Sequence, residues 1–253
     1  MDTCMTDYTQ YLGHNGRVLL RKGRLLTKNP IIESVPFFRI KYNRYSSYSP
    51  LFTGGTVTYR TDLGPDVADV YPEDGEVFTE IVSDRTANPL IEILDTPLLN
   101  TESVTRIKFD NVTSLTHIPS WSLPNLEDIE LYRATNLTAL PDFKIGGKLL
   151  EIHLTSCPSL TEIPAYPLSE DSVVYLYMCD NVARIHLTGI GKVAHISSCM
   201  AMDHDALMEV IGNLRDRKGK TAGELYMSNA QFSKLSADDR KQYTSKNWVY
   251  YYG

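Results

Sequence analysis

The sequence predicts an α+β, mainly β chain, in which stacked coils form a solenoid between a small β-rich N-terminal module and a helical/β C-terminal cap. Three observations predict it. One apolar template recurs from residue 104 onward, the stretch after residue 203 switches to helical spacing, and residues 1–60 alternate short apolar runs with turn residues. The chain divides on this reading into a basic β-rich attachment module (1–60), an acidic connector with a first irregular coil (61–103), the repeats (104–202) and the cap (203–253).

The N-terminal module is set apart by charge. Residues 1–60 carry nine Lys/Arg against three Asp/Glu, whereas residues 61–100 carry one Arg against ten carboxylates. Two apolar stretches flank Arg21-Lys22-Gly23, the pattern of a small β-hairpin within 15–26. Tyr42, Tyr45, Tyr48 and Tyr59 follow among Ser, Pro and Gly. The acidic run Asp62, Asp66, Asp69, Glu73, Asp74 and Glu76 lacks the alternation of a calcium loop and reads as a solvated connector.

The repeat places apolar residues at offsets 0, +3, +5, +8, +11 and +14, followed by proline. The copies are Val104, Ile107, Phe109, Val112, Leu115, Ile118, Pro119; then Leu126, Ile129, Leu131, Ala134, Leu137, Leu140, Pro141; then Leu149, Ile152, Leu154, Cys157, Leu160, Ile163, Pro164. Starts 22 and 23 residues apart fall within the range of leucine-rich repeats, so the expected architecture is a leucine-rich-repeat-like solenoid. Offsets +3 and +5 share one side of a short strand, and a single coil cannot bury that side without a neighbour. A fourth copy reads as Val173, Leu176 and Met178 before the pattern fades. Shorter echoes follow at Val182/Ile185/Leu187 and Val193/Ile196, and Ala222, Leu225, Met227 and Ala230 restore the spacing.

The remaining strand offsets face outward. They form columns Arg106/Asp128/Glu151/Tyr175, Lys108/Glu130/His153/Tyr177 and Asp110/Tyr132/Thr155/Cys179 on this framing. Opposite charges on neighbouring strands can pair, while exposed rings beside polar groups anchor partners. The expected partner-binding residues are Tyr132, Glu151, His153, Tyr175 and Tyr177.

In the cap, 203–217 reads as a helix with Asp203 as N-cap and Gly219 as the stop. A second short helix follows Ser236, with Asp239 at the capping-box position, and Trp248-Val249-Tyr250-Tyr251-Tyr252 reads as a last strand.

Several chemistries find no motif. A net charge of −6 argues against nonspecific nucleic-acid binding. Cys4, Cys157, Cys179 and Cys199 do not make a disulfide scaffold, and His117, His153, His186, His195 and His204 match no compact ligand spacing, so neither metal nor cofactor is expected. Gly219-Lys220-Thr221 lacks the glycine that a phosphate loop needs before it. No catalytic residues are assigned and the chain reads as non-enzymatic, although Glu130 and Glu151 lie on neighbouring coils where paired carboxylates could serve a glycan hydrolase. No apolar run reaches the ~20 residues of a membrane helix, so membrane insertion is not expected. The start lacks a basic and an apolar signal region, so no secretory route is expected.

The blocks LEDIELYRATNLTALP and LLEIHLTSCPSLTEIP resemble leucine-rich repeats of the bacterial-surface (BspA-like) type. The segment DALMEVIGNLRDRKGKTAGELYMSNAQFSKLSADDRKQYTSKNW resembles a C-terminal module that follows such repeats in Bacteroidetes proteins and in bacteriophage tail, fibre and other virion proteins. The resemblance covers about residues 104–253. It implies an interaction role: a virion structural protein (head fibre, tail or baseplate component) made in a host cytoplasm. Its expected partners are other virion proteins, further copies of itself, and a host surface glycan or protein. The alternative is a bacterial leucine-rich-repeat adhesin or interaction module, in the cytoplasm or at the cell surface.

Overall fold

The structure is a computed structural model that describes residues 104–253 in full and, within 1–103, only the backbone of eight short strands. Seven strands run parallel in one sheet among residues 104–253: β1 (Arg106–Asp110), β2 (Asp128–Tyr132), β3 (Leu149–Thr155), β4 (Leu168–Tyr177), β5 (Val193–His195), β6 (Gly223–Met227) and β7 (Trp248–Tyr252). They neighbour one another in chain order, which puts Ile107 beside Ile129, Ile152 and Val174. By backbone alone, Glu80–Val82 continues the sheet parallel to β1, and Leu51–Thr53 pairs antiparallel beyond it.

This sheet corrects the expected class. The α+β, mainly β leucine-rich-repeat-like solenoid gives way to an α/β-like arrangement: a central parallel sheet, few helices and, among the described residues, no closed barrel. Apolar spacing determines which side chains point inward. The class depends instead on strand direction and on the form of the crossovers, and the template encodes neither.

The template residues of all three copies are buried, none more than 6% exposed. The first four crossovers add a second layer in which Ser122–Leu123 pairs parallel with Lys144–Ile145, and Glu162–Ile163 with Arg184–Ile185. Inside that layer Trp121, Phe143 and Tyr166 stack at 6.0 and 6.1 Å, and the Tyr166 hydroxyl donates to the Pro141 carbonyl. Apolar rings one above another bury large area while keeping offset contact.

The fourth copy is displaced from the predicted frame. Glu151 pairs with Val173 and Ile152 with Val174, so Val174, Leu176, Cys179, Val182 and Ile185 face the core and Met178 is 51% exposed. The observed frame keeps the 22-residue period, since Ile152 pairs with Val174 and Leu154 with Leu176, and the predicted start at Val173 lies two residues too late. Cys157, Cys179 and Cys199 are all fully buried free thiols.

The sheet does not stop at residue 203, because β6 and β7 are its last strands. Helix α1 (His204–Asn213) starts at Asp203, whose side chain accepts from the Ala206 N–H, and buries Ala206, Leu207, Val210 and Ile211. It ends at Leu214, short of the predicted Gly219 stop, where the backbone turns extended and Ile190 bridges to Leu214. Lys246 donates to the carbonyls of Ile211, Gly212 and Leu214 at 3.0, 2.6 and 2.9 Å, placing a cation at the negative helix end. Helix α2 (Asn229–Ser233), which sequence reading missed, carries a Ser228/Gln231 capping box. Its fully buried Gln231 also donates to Ile196 and Cys199, so one amide caps the helix and ties it to the sheet layer. Helix α3 (Ala237–Ser245) has the predicted Ser236/Asp239 capping box. Gly223 lies under the Trp248 indole, where a β-carbon would overlap the ring.

The readings of 1–60 as attachment module and 61–103 as connector lie outside the described residues, apart from strand backbones. One of these is the antiparallel pair Leu20–Arg21/Arg24–Leu25.

Candidate functional site: the open face of the parallel sheet

Alternation along each strand sends every second side chain away from the core. Parallel register then lines these side chains into columns. The first runs Arg106, Asp128, Glu151, Val173 and Val193. The second runs Lys108, Glu130, His153, Tyr175, His195, Tyr226 and Tyr251. The third runs Asp110, Tyr132, Thr155 and Tyr177. The predicted columns therefore hold over three strands and slip by two residues at β4. Tyr175 joins His153, Tyr177 joins Thr155, and Cys179 leaves the face for the core.

The β1–β2 end is charged. Arg106 Nη2 lies 2.8 Å from Asp128 Oδ2 and Lys108 Nζ 2.8 Å from Glu130 Oε2. Such cross-strand pairs contribute about 0.2–1 kcal/mol each, which steadies the wall without dominating the fold. Of the two carboxylates that could serve a hydrolase, Glu130 is paired with Lys108, and Glu151 lies 3.7 Å from His153 Nδ1.

The β4–β7 end is aromatic. His153 and Tyr175 lie 5.6 Å apart between centroids, Tyr175 and His195 6.0 Å, His195 and Tyr226 4.9 Å, and Tyr226 and Tyr251 5.1 Å. The last two pairs are stacked within 24°, so their faces cover one another and their edges meet solvent. Partial burial in this stack holds the His195 imidazole below its ordinary pKa. The Tyr226 hydroxyl donates to Glu224 at 2.9 Å, and that bond raises its pKa.

All five predicted site residues lie on this face. Tyr132, Tyr175 and Tyr177 are 41%, 36% and 56% exposed. His153 and Tyr175 are in ring contact, whereas Tyr132 and Tyr177 are separated by Thr155 in their column. Sequence reading missed His195, Tyr226 and Tyr251. The inward Ala194 and Ile196, and Leu225 and Met227, hold the signal: the residue between each pair must point outward.

A cavity of about 500 Å³ opens at the carboxyl ends of β1–β3, lined by Lys108, Asp110, Glu130, Tyr132, Arg133 and Thr155 among others. Asn111 and Arg133 close β1 and β2 in the left-handed region, at φ 59° and 54°, and each donates its N–H to the next strand, at Tyr132 and Thr155. The Arg133 guanidinium lies 5.4 Å from the Tyr132 ring centroid.

Other histidines bind structural neighbours: His186 meets Glu209 at 2.6 Å, and His204 bridges Asp205 and Asp239, whose hydrogen bonds raise its pKa. Among the described residues, no three His, Cys, Asp or Glu side chains gather as metal ligands, and no helix is long and apolar enough to cross a membrane. Comparison of the chain with protein-family models, with curated proteins and with solved structures gives no match.

Proposed function

We propose that this chain is a non-enzymatic structural protein of a bacteriophage particle, a head fibre, tail or baseplate component, whose open sheet face binds other virion proteins or the host surface. The observation that carries the contact role is the unbroken ring column from His153 to Tyr251 beside exposed Tyr132 and Tyr177. Rings held by register lose little freedom on binding, and aromatic anchors dominate many interfaces. The particle assignment draws on the resemblance over residues 104–253. Residues 1–100 would attach the chain and the sheet face would meet the partner, with further copies of the chain arranged about a symmetry axis.

An antibody to residues 203–253 and a density gradient of a source lysate test this reading. Co-sedimentation with phage particles, with label at heads or tails in the microscope, is the expected result. Signal confined to soluble or cell-envelope fractions would replace it with a bacterial interaction protein.

A further inference from the structure

The cavity at the carboxyl ends of β1–β3 differs chemically from the ring column beside it. Its volume of about 500 Å³ falls in the range of small-molecule sites. The walls carry two cations, Lys108 and Arg133, and two carboxylates, Asp110 and Glu130. Among the described lining residues the two signs are equal in number, so they form no patch of a single charge. They do supply donors and acceptors side by side, because the Lys108–Glu130 pair leaves ammonium protons and carboxylate lone pairs unused by their mutual contact. Vicinal hydroxyls, each both donor and acceptor, match such a wall. Tyr132 adds an apolar ring, 41% exposed, against which the C–H side of a sugar can pack. The Lys108–Glu130 ion pair, and the contact of the Arg133 guanidinium with the Tyr132 ring, orient these groups before any ligand arrives.

We propose that this cavity binds an uncharged sugar unit of a glycan, with Tyr132 as the stacking ring and Glu130, Lys108 and Arg133 as hydroxyl partners. The proposal rests on the reading of this face as a contact surface and adds a ligand class to it.

The full chain is passed over a printed array of neutral, sialylated and phosphorylated glycans, and the retained neutral sugar is then titrated by calorimetry. Retention of neutral glycans is expected. Tyr132→Ser should weaken binding by about tenfold or more, the scale of one lost anchor. Arg133→Asn keeps a residue tolerant of the left-handed region and should weaken it too. Lys241→Ala, on the exposed side of α3 and away from the sheet face, should bind as the parent does, and unchanged melting temperatures show that the variants fold. Retention of charged glycans alone, or Tyr132→Ser and Arg133→Asn binding like the parent, overturns the proposal. Sugar binding by a chain that never sediments with particles keeps the cavity assignment and removes the phage assignment. A particle-borne chain that retains no neutral glycan does the reverse.

Discussion

The His195 imidazole stacks on the Tyr226 ring at 4.9 Å, with the planes 24° apart, while the Tyr175 ring lies 6.0 Å from it in the same column. The stack removes water from the imidazole, which disfavours its charged form. His195 is therefore depressed from its ordinary 6.5, and the unfolded chain binds its proton at higher pH than the folded chain does. Stability contributed by neutral His195 is present above pH 6.5 and declines as pH falls through the window below it. Melting temperatures across pH 5–8 should show this decline, and His195→Gln should flatten it. A His195 proton resonance that titrates above 6.5 would contradict the assigned environment.

The exposed tyrosines separate binding from folding. Tyr132, Tyr175 and Tyr177 changed together to Ser should abolish or strongly weaken partner capture. Stability should fall by about 1 kcal/mol, or roughly 2–4 °C in melting temperature at this size. A collapse of the melting transition would place the rings in the core, against their observed exposure.

Arg184 and Asp203 meet in a two-point contact, at 2.6 and 3.1 Å, that ties the crossover after β4 to the start of α1. The Arg184 hydrogen bonds, with that from the Ala206 N–H, lower the Asp203 carboxyl from 3.8 to about 2. A depressed carboxylate stabilises the fold above its unfolded value and loses that contribution as pH falls toward its folded value. Asp203→Asn should thus lower the melting temperature at neutral pH and match the parent near pH 2. Equal destabilisation at both pH values would show that charge has no part in the contact.

The three core thiols should be inert until the chain opens. The hydrogen bond to Cys179, and then burial, push the Cys157 thiol up, and burial does the same to Cys199; the same bond lowers the Cys179 thiol, which its complete burial keeps from reagents. Alkylation requires a reachable thiolate. In a Cys4→Ser background, the folded chain should label slowly and the denatured chain at three sites, Cys157, Cys179 and Cys199. Cys157→Ser should cost about 1–3 kcal/mol, more than Cys157→Ala, because a hydroxyl is harder to bury than a thiol.

Much of the packing was legible because burial imposes a strict spacing. Each template position from Val104 to Ile163 is inside, and Asp203, Ser236 and Trp248 mark elements that form. The fourth frame was misread, since Val173 and Val174 are both apolar and Met178 satisfies the pattern as well as Leu176 does. The 22-residue step from Ile152 to Val174, which the register against β3 confirms, decides between the two frames. The sheet class was misjudged because apolar offsets do not record strand direction. Helix α2 escaped notice because five residues are too few for a helical period, and its evidence is a Ser-x-x-Gln cap whose glutamine points inward. Of the outer face, the predicted five residues lie on it, but the column through His195, Tyr226 and Tyr251 needed the strand neighbours to become visible.

Strand β7 carries one stacked pair on each side: Tyr251 on Tyr226 at 5.1 Å outside, and Tyr250 on Phe232 at 4.3 Å inside. Aromatic chromophores this close share their electronic transitions, so the final strand gives the protein an optical signature of its own. A circular-dichroism band from coupled rings should appear only while that strand is docked, and it should vanish from both sides at once when the strand lifts.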